Sequence, residues 1–192
     1  GVGIYQTWHK AKDEGQVIYT RPASPSKLLD VLPDQGPYHA RFEETESAFL
    51  RIAQEARYRL VIVTPFIDKI GAEWIERLFL MVNSSSVERV LILRHYENLK
   101  GMLMPISRTL SSCGVKIFDY FIRHEERMTT YETFHAKIVL GDDYQAYIGS
   151  ANMLESSLDT ALEAGVLIRG KSAVDIRRLV DAILEVSQLI NP

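Results

Sequence analysis

Residues 134–152 read FHAKIVLGDDYQAYIGSAN, and this stretch decides the fold. Two short apolar runs, His135–Leu140 and Tyr144–Ile148, flank Gly141-Asp142-Asp143. Both runs are rich in β-branched and aromatic residues, and a three-residue connection containing Gly predicts an antiparallel hairpin. Side chains alternate across a strand, so His135 and Lys137 share a face. The rest of that strand is apolar, and a His and a Lys projecting from it need a polar partner or an opening to solvent. In a simple register His135 lies across from Gly149, which brings Ser150 and Asn152 beside it. Imidazole, ammonium, hydroxyl and carboxamide then meet at one edge. That set holds one nucleophile or base and several donors, and it suits an anion with several oxygens, such as a phosphodiester.

Outward from the hairpin the chain alternates strands and helices. Residues 41–57 place Phe42, Ala48, Phe49, Ile52, Ala53 and Ala56 at helical spacing. LVIVT (60–64), ended by Pro65, predicts a buried strand. Further helices are expected over Glu73–Val82, over Leu99–Cys113 with a kink or restart at Pro105 and a stop at Gly114, and over Ala173–Ile190. Further strands are expected over Arg89–Leu93, Val115–Ile122 and Ala161–Ile168, with a charged loop over Arg123–Glu132. The fold class that follows is α/β: one domain over 41–192, a mixed β-sheet flanked by helices on both faces, with one antiparallel hairpin. Residues 1–40, with Pro22, Pro25, Pro33 and Pro37, predict a loop-rich N-terminal segment.

The chain has 192 residues, 46% hydrophobic and 24% charged, enough to bury a core without crosslinks. Its formal charge of −3 excludes a global basic footprint for nucleic acid but leaves room for a local basic groove. Cys113 is the single cysteine, which excludes an internal disulfide and a cysteine-based zinc site, and with it a cytoplasmic location is expected. No run of 18 apolar residues marks a membrane span, and the first residues carry no apolar signal core. The sequence opens on Gly1 and not on Met, so a larger protein of which this is one domain is an open alternative.

His135-x-Lys137-x4-Asp142-x6-Gly149-Ser150-x-Asn152 resembles the HKD motif of the phospholipase D superfamily. Glu163 falls where that family places a supporting carboxylate. With seven fixed residues at ~5% frequency each, a chance match is well below ~10⁻⁶. A strand ending in Thr64-Pro65-Phe66 and followed by βα units extends the resemblance over about Leu60–Ile190. The resemblance implies that His135 attacks phosphorus and forms a phosphohistidine, and that Lys137 and Asn152 donate to the non-bridging oxygens. Ser150 would hold the phosphate or a neighbouring side chain, and Glu163 would fix the histidine tautomer. Asp142 and Gly149 are expected to be structural, Asp142 bonding the backbone of its own turn. The family chemistry needs no metal or cofactor, and no metal-ligand cluster stands in the sequence.

The family mechanism uses two histidines and this chain carries one motif. A homodimer with the site on its two-fold axis supplies the second, as single-motif members of the family imply. The alternative is a second motif in sequence beyond this chain. The leaving group is not given by the motif. The resemblance favours a nuclease acting on DNA or RNA, with a phospholipase-type lipid phosphodiesterase second and an inactive phosphate-binding dimer third. Candidate substrate contacts are Arg94 and His95 after the second strand, and Arg123 and His124 in the loop that enters the motif. Lys100 and Arg127 are weaker candidates for a basic groove. His9 and His39 are read as structural, Trp74 as core and Phe134 as wall.

Overall fold

The computed structural model describes residues 14–28, 42–123 and 131–190. Three parallel strands form one side of the main sheet: β3 (Arg59–Thr64), β4 (Glu88–Leu93) and β5 (Val115–Asp119). Their near-continuous apolar runs suit strands covered on both faces. On one face Leu60, Ile62, Leu91, Leu93 and Ile117 pack with helices α1 (Thr45–Glu55) and α2 (Lys69–Leu80) and with the broken helix Tyr96–Ser112. The break falls at a 3₁₀ turn over Met104–Ile106, where Pro105 interrupts α3 (Tyr96–Leu103) and α4 (Ser107–Ser112) restarts. On the other face Val61, Val63, Val90 and Ile92 pack with Ala173, Val180 and Ile183 of α5 (Lys171–Val186). The fold is thus the expected mixed α/β sheet with helices on both faces.

The hairpin strands are β8 (Lys137–Gly141) and β9 (Gln145–Gly149), and β8 inserts antiparallel against β3. Then follow β10 (Glu163–Arg169), β1 (Glu14–Thr20) and β2 (Glu43–Glu44), while β11 (Gln188–Ile190) closes the far edge. The order is β11-β5-β4-β3-β8-β9-β10-β1-β2. A separate ribbon joins β6 (Ile122–Arg123) to β7 (Tyr131–Glu132).

Several expectations change. Gly141 pairs with Gln145 inside the ladder, so the turn lies one residue later and Lys137, not His135, sits opposite Gly149. The reason is packing: a Cβ on Gly141 would come 2.8 Å from Ile52 Cγ2, so this glycine serves close approach to α1 and not the turn. His135 consequently stands two residues outside the strand. Asp142 takes the left-handed conformation at φ 56, which Asp tolerates. Its carboxylate does not bond its own turn. It accepts from the backbone N–H groups of Arg57 (3.1 and 3.0 Å), Tyr58 (2.7 Å) and Arg59 (2.9 Å), pinning the hairpin to the entry of β3.

Within the segment expected to be loop-rich, Glu14–Thr20 forms a strand paired antiparallel with the whole of β10. The C-terminal helix ends at Val186, and Gln188–Ile190 turns into a strand that satisfies the open edge of β5. Helix α2 begins at Lys69, not Glu73, because Asp68 caps it through Gly71 N–H at 2.7 Å. Strand β5 stops at Asp119, whose carboxylate turns back to accept from the N–H groups of His95 (2.8 Å) and Tyr96 (3.0 Å).

Asp142→Ala is expected to lower the unfolding free energy by about 2 kcal/mol, since three backbone donors lose a charged acceptor. Asp142→Asn, which keeps an acceptor and tolerates the left-handed backbone, should recover part of it. Equilibrium urea denaturation of the two variants checks both outcomes.

Candidate active site

Antiparallel insertion brings the start of β8 to the carboxyl ends of β3 and β4, where open α/β sheets place their ligands. Five of the motif side chains gather there. His135 is exposed, and its ring meets the Phe66 ring edge-on at 5.7 Å. Lys137 is only 6% exposed. Its Nζ donates to the His135 carbonyl at 2.8 Å and lies 2.9 Å from Nδ1 and 3.2 Å from Nε2 of the same residue. An ammonium only donates, so a ring nitrogen facing it accepts through a lone pair. Burial pushes the Lys137 ammonium below its ordinary range; the Glu163 carboxylate pulls it back up and the Arg94 guanidinium pushes it further down.

Glu163 opens β10 and is held from two sides. Ser150 Oγ donates to its Oε2, and Ser157 Oγ donates to its Oε1 at 2.6 Å. Ser150 Oγ also accepts from Ala164 N–H at 3.1 Å. The expected bond from Glu163 to His135 is therefore replaced by two hydroxyl donors, one of them unforeseen. Ser157 is 2% exposed, lies in a π-helical turn (Ser156–Thr160), and its carbonyl accepts from Thr20 Oγ1 of β1 at 2.8 Å.

Asn152 follows β9 on a segment clamped against α2. Met153 N–H donates to Thr64 Oγ1 (3.4 Å), and Met153 O accepts from Asp68 N–H (3.2 Å). Asp68 also accepts from Glu155 N–H at 2.9 Å. A Cβ on Gly71 would stand 1.6 Å from Met153 O, so only glycine lets the helix N-terminus lie flush against this segment. Asn152 Oδ1 is buried with no hydrogen-bond partner among the described residues.

Gly149 makes room for Tyr147. A Cβ there would meet the Tyr147 hydroxyl at 2.3 Å, and one on Gly165 would meet the Tyr147 ring at 2.4 Å. The fully buried phenol runs beneath both glycines and accepts from Ala151 N–H at 3.3 Å, fixing the Gly149–Asn152 corner from below. Burial pushes this phenol up to about 12, opposed by the Ala151 bond and aided by the Glu163 carboxylate.

The other predicted contacts divide. Arg94 reaches the site and lies over the Phe66 ring at 5.7 Å. His95 turns toward Phe121, ring to ring at 4.2 Å, and Arg123 lies over Tyr131 at 5.6 Å. Lys100 is neutralised by Glu97 at 2.5 Å. Asp142 sits at the opposite end of the hairpin. Phe134 is buried and stacks on Tyr120 at 6.0 Å. His9, His39, His124 and Arg127 lie outside the described residues. Sequence reasoning missed Ser157, Tyr147 and Asp68. Asp68 carries the N-cap signal, whereas Ser157 and Tyr147 have none, because their roles depend on β10 and Gly165 folding back. Among the described residues, no three His, Cys, Asp or Glu side chains group to hold a metal ion, and no helix is long and apolar enough to cross a membrane.

A family model described as "Cardiolipin synthase, PLD-like domain" matches residues 49–184. The chain belongs to this phospholipase D-like family. No match appears among curated protein sequences. Among solved structures, the phospholipase D-like chain is similar to NucT from Helicobacter pylori, with TM-score 0.64 and 14% identity over 93% of this chain and 100% of that one. Nuc from Salmonella typhimurium, a phospholipase D family member, gives 0.60 and 13% over 94% and 100%. Phosphatidylserine synthase from Haemophilus influenzae gives 0.57 and 13% over 93% of this chain and 40% of that one. These likenesses are of fold.

Two outcomes are expected of this phospholipase D-like corner. The folded chain keeps the Tyr147 proton to about pH 12, while an unfolded chain loses it near pH ~10. The burial contribution is therefore whole below pH ~10 and is lost as pH rises toward 12, roughly 2–3 kcal/mol in all. Tyr147→Phe should flatten that loss in denaturation curves taken across the range. Ser157→Ala should cost about 1–2 kcal/mol in the same assay at neutral pH, by stripping one donor from Glu163.

Proposed function

We propose that the chain is a metal-independent phosphodiesterase, most plainly a nuclease, that works through a phosphohistidine on His135. The observation that carries this reading is the exposed imidazole at a strand end with the buried Lys137 ammonium against it. Arg94 and the corner of Ser150 and Asn152 flank the pair. A His135 ring nitrogen attacks phosphorus, and the bond to the leaving oxygen breaks. A second imidazole gives that oxygen its proton. The same imidazole then takes a proton from water, whose oxygen attacks phosphorus and releases His135. Lys137 and Arg94 place positive charge where the equatorial oxygens gain negative charge in the transition state. Glu163, held by Ser150 and Ser157, balances that charge between substrates.

The second imidazole comes from a second copy of the chain. Two features support this. On one sheet face Val17, Val166 and Ile148 stand in cross-strand register on β1, β10 and β9, and they are 47%, 37% and 36% exposed. Such a row beside Gly149 is an apolar surface suited to a self-complementary contact. Asn152 Oδ1 is a buried acceptor that a donor from outside the chain would satisfy. A phospholipid substrate is the second reading, favoured by the description of the matching family model and by the phosphatidylserine synthase likeness.

The test is cleavage of fluorescent single- and double-stranded DNA and RNA in EDTA by the wild type and His135→Ala, with oligomer size from light scattering. A dimer that cleaves one of the four in EDTA, with loss of on the order of 10⁴-fold or more in the variant, supports the nuclease. Lys137→Ala should lose on the order of 10²–10³-fold. Inactivity on all four with turnover of phospholipid micelles would replace the nuclease by the second reading, and His135→Ala with full activity would sink the mechanism.

A further inference from the structure

The carboxyl ends of β5, β4 and β3 carry rings and guanidinium groups that the proposed chemistry leaves largely unused. Phe121, just past β5, stacks on Tyr131 of the β6–β7 ribbon with centroids 4.6 Å apart and planes 22° apart. His95, just past β4, packs on the same Phe121 ring. Its left-handed backbone (φ 62) is locked by the Asp119 carboxylate. Arg123 lies over Tyr131 and donates to its hydroxyl at 3.2 Å. The next residue along the edge is Arg94, over Phe66, whose ring faces His135. The strand order β5-β4-β3-β8 makes this a line across four neighbouring strand ends. At ~4.8 Å per strand the line is about 14 Å long. That matches about four bases at the ~3.4 Å spacing of a stacked strand.

The exposure pattern points to a ligand beyond internal packing. Tyr131 and Phe66 each leave 41% of their surface in solvent. Neither Arg94 nor Arg123 has a carboxylate at ion-pair distance among the described residues. Exposed rings, each capped by an unneutralised guanidinium group, take up bases and phosphates together: the guanidinium swings onto a phosphate and leaves the ring face to a base. Only unpaired bases offer their faces, because a duplex keeps them inside its own stack. The exposed side chains of this line are rings and cations and not aliphatic, which favours nucleic acid over an acyl chain.

We propose that this edge is a binding track for single-stranded nucleic acid. Bases stack at Tyr131 and Phe66, phosphates lie on Arg123 and Arg94, and the strand is led onto His135. This rests on the phosphodiesterase reading and names its substrate class. Tyr131 and Arg123 become binding residues about which the motif says nothing.

The experiment is fluorescence anisotropy with a labelled twelve-nucleotide single strand and the matching duplex, on the full chain carrying His135→Ala to stop turnover. The single strand should bind at least tenfold tighter than the duplex. Adding Tyr131→Ala should weaken single-strand binding about 5- to 150-fold, the equivalent of ~1–3 kcal/mol for one stacked base. Tyr131→Trp should restore it, and Arg123→Gln should weaken it and flatten the salt dependence. Thermal melts keep a misfolded variant from being counted, and Arg123→Gln, on an exposed side chain, is the second handle. Equal binding of strand and duplex would overturn the proposal. So would unchanged binding in folded Tyr131→Ala, or loss in that variant only of binding to phosphatidylglycerol vesicles. Hydrolysis of bis(p-nitrophenyl) phosphate by the wild type against His135→Ala tests the phosphodiesterase reading apart from the track. Turnover there without single-strand preference would remove the track alone, and the preference without turnover would remove the chemistry alone.

Discussion

The site depends on one strand running the wrong way. β3, β4 and β5 are parallel, and β8 enters between β3 and β9 in the opposite sense. The start of β8 therefore meets the ends of β3 and β4, and the end of β9 meets the start of β10. Residues far apart in sequence, from Phe66 and Arg94 to Lys137, Ser150 and Glu163, reach one edge because of that reversal. The Asp142 carboxylate holds it from the far end by gripping the backbone before β3. Were β8 parallel, His135 and Lys137 would face the entry of β3, away from every partner they have here.

At that edge the electrostatics are tuned by neighbours and not by solvent. Lys137 is buried, which alone disfavours its charge, and Glu163 and Arg94 push in opposite directions. The carboxylate itself is steadied by hydroxyl donors from Ser150 and Ser157, so it is solvated by protein without being neutralised. Through Ser157 and Thr20 the N-terminal strand is tied into the same network. A segment whose sequence suggests loops thus ends two hydrogen bonds from the central carboxylate.

Much of this was legible in the sequence, for reasons that differ by residue. The buried strands announce themselves through β-branched runs, Pro105 breaks its helix where φ and the missing N–H demand, and the spacing of His135, Lys137, Ser150, Asn152 and Glu163 already implies that they meet at one strand edge. The register differs by one pair because the local pattern marks Gly141 as a turn glycine, whereas its missing side chain makes room for α1. Strands β1 and β11 were missed because their pairing partners, β10 and β5, are distant in sequence and local pattern is silent about them. The partner of Glu163 was missed for the same reason: Ser157 in an irregular π-helical turn carries no local signal. Tyr147 looked like any strand aromatic until Gly149 and Gly165 proved to be the space it occupies.

The outermost strands have a consequence for how copies of the chain meet. Among the described residues, β2 has two residues and β11 has three, so the sheet ends on stubs. A long bare margin would invite another chain to extend the ladder without limit, toward fibres. Short outer strands offer little ladder for that route of growth, and the open apolar area lies on a face, where Val17, Val166 and Ile148 stand. Contact through a face can be satisfied by one mate and then stops. Under the proposed dimer, assembly is thereby steered toward a finite, closed particle.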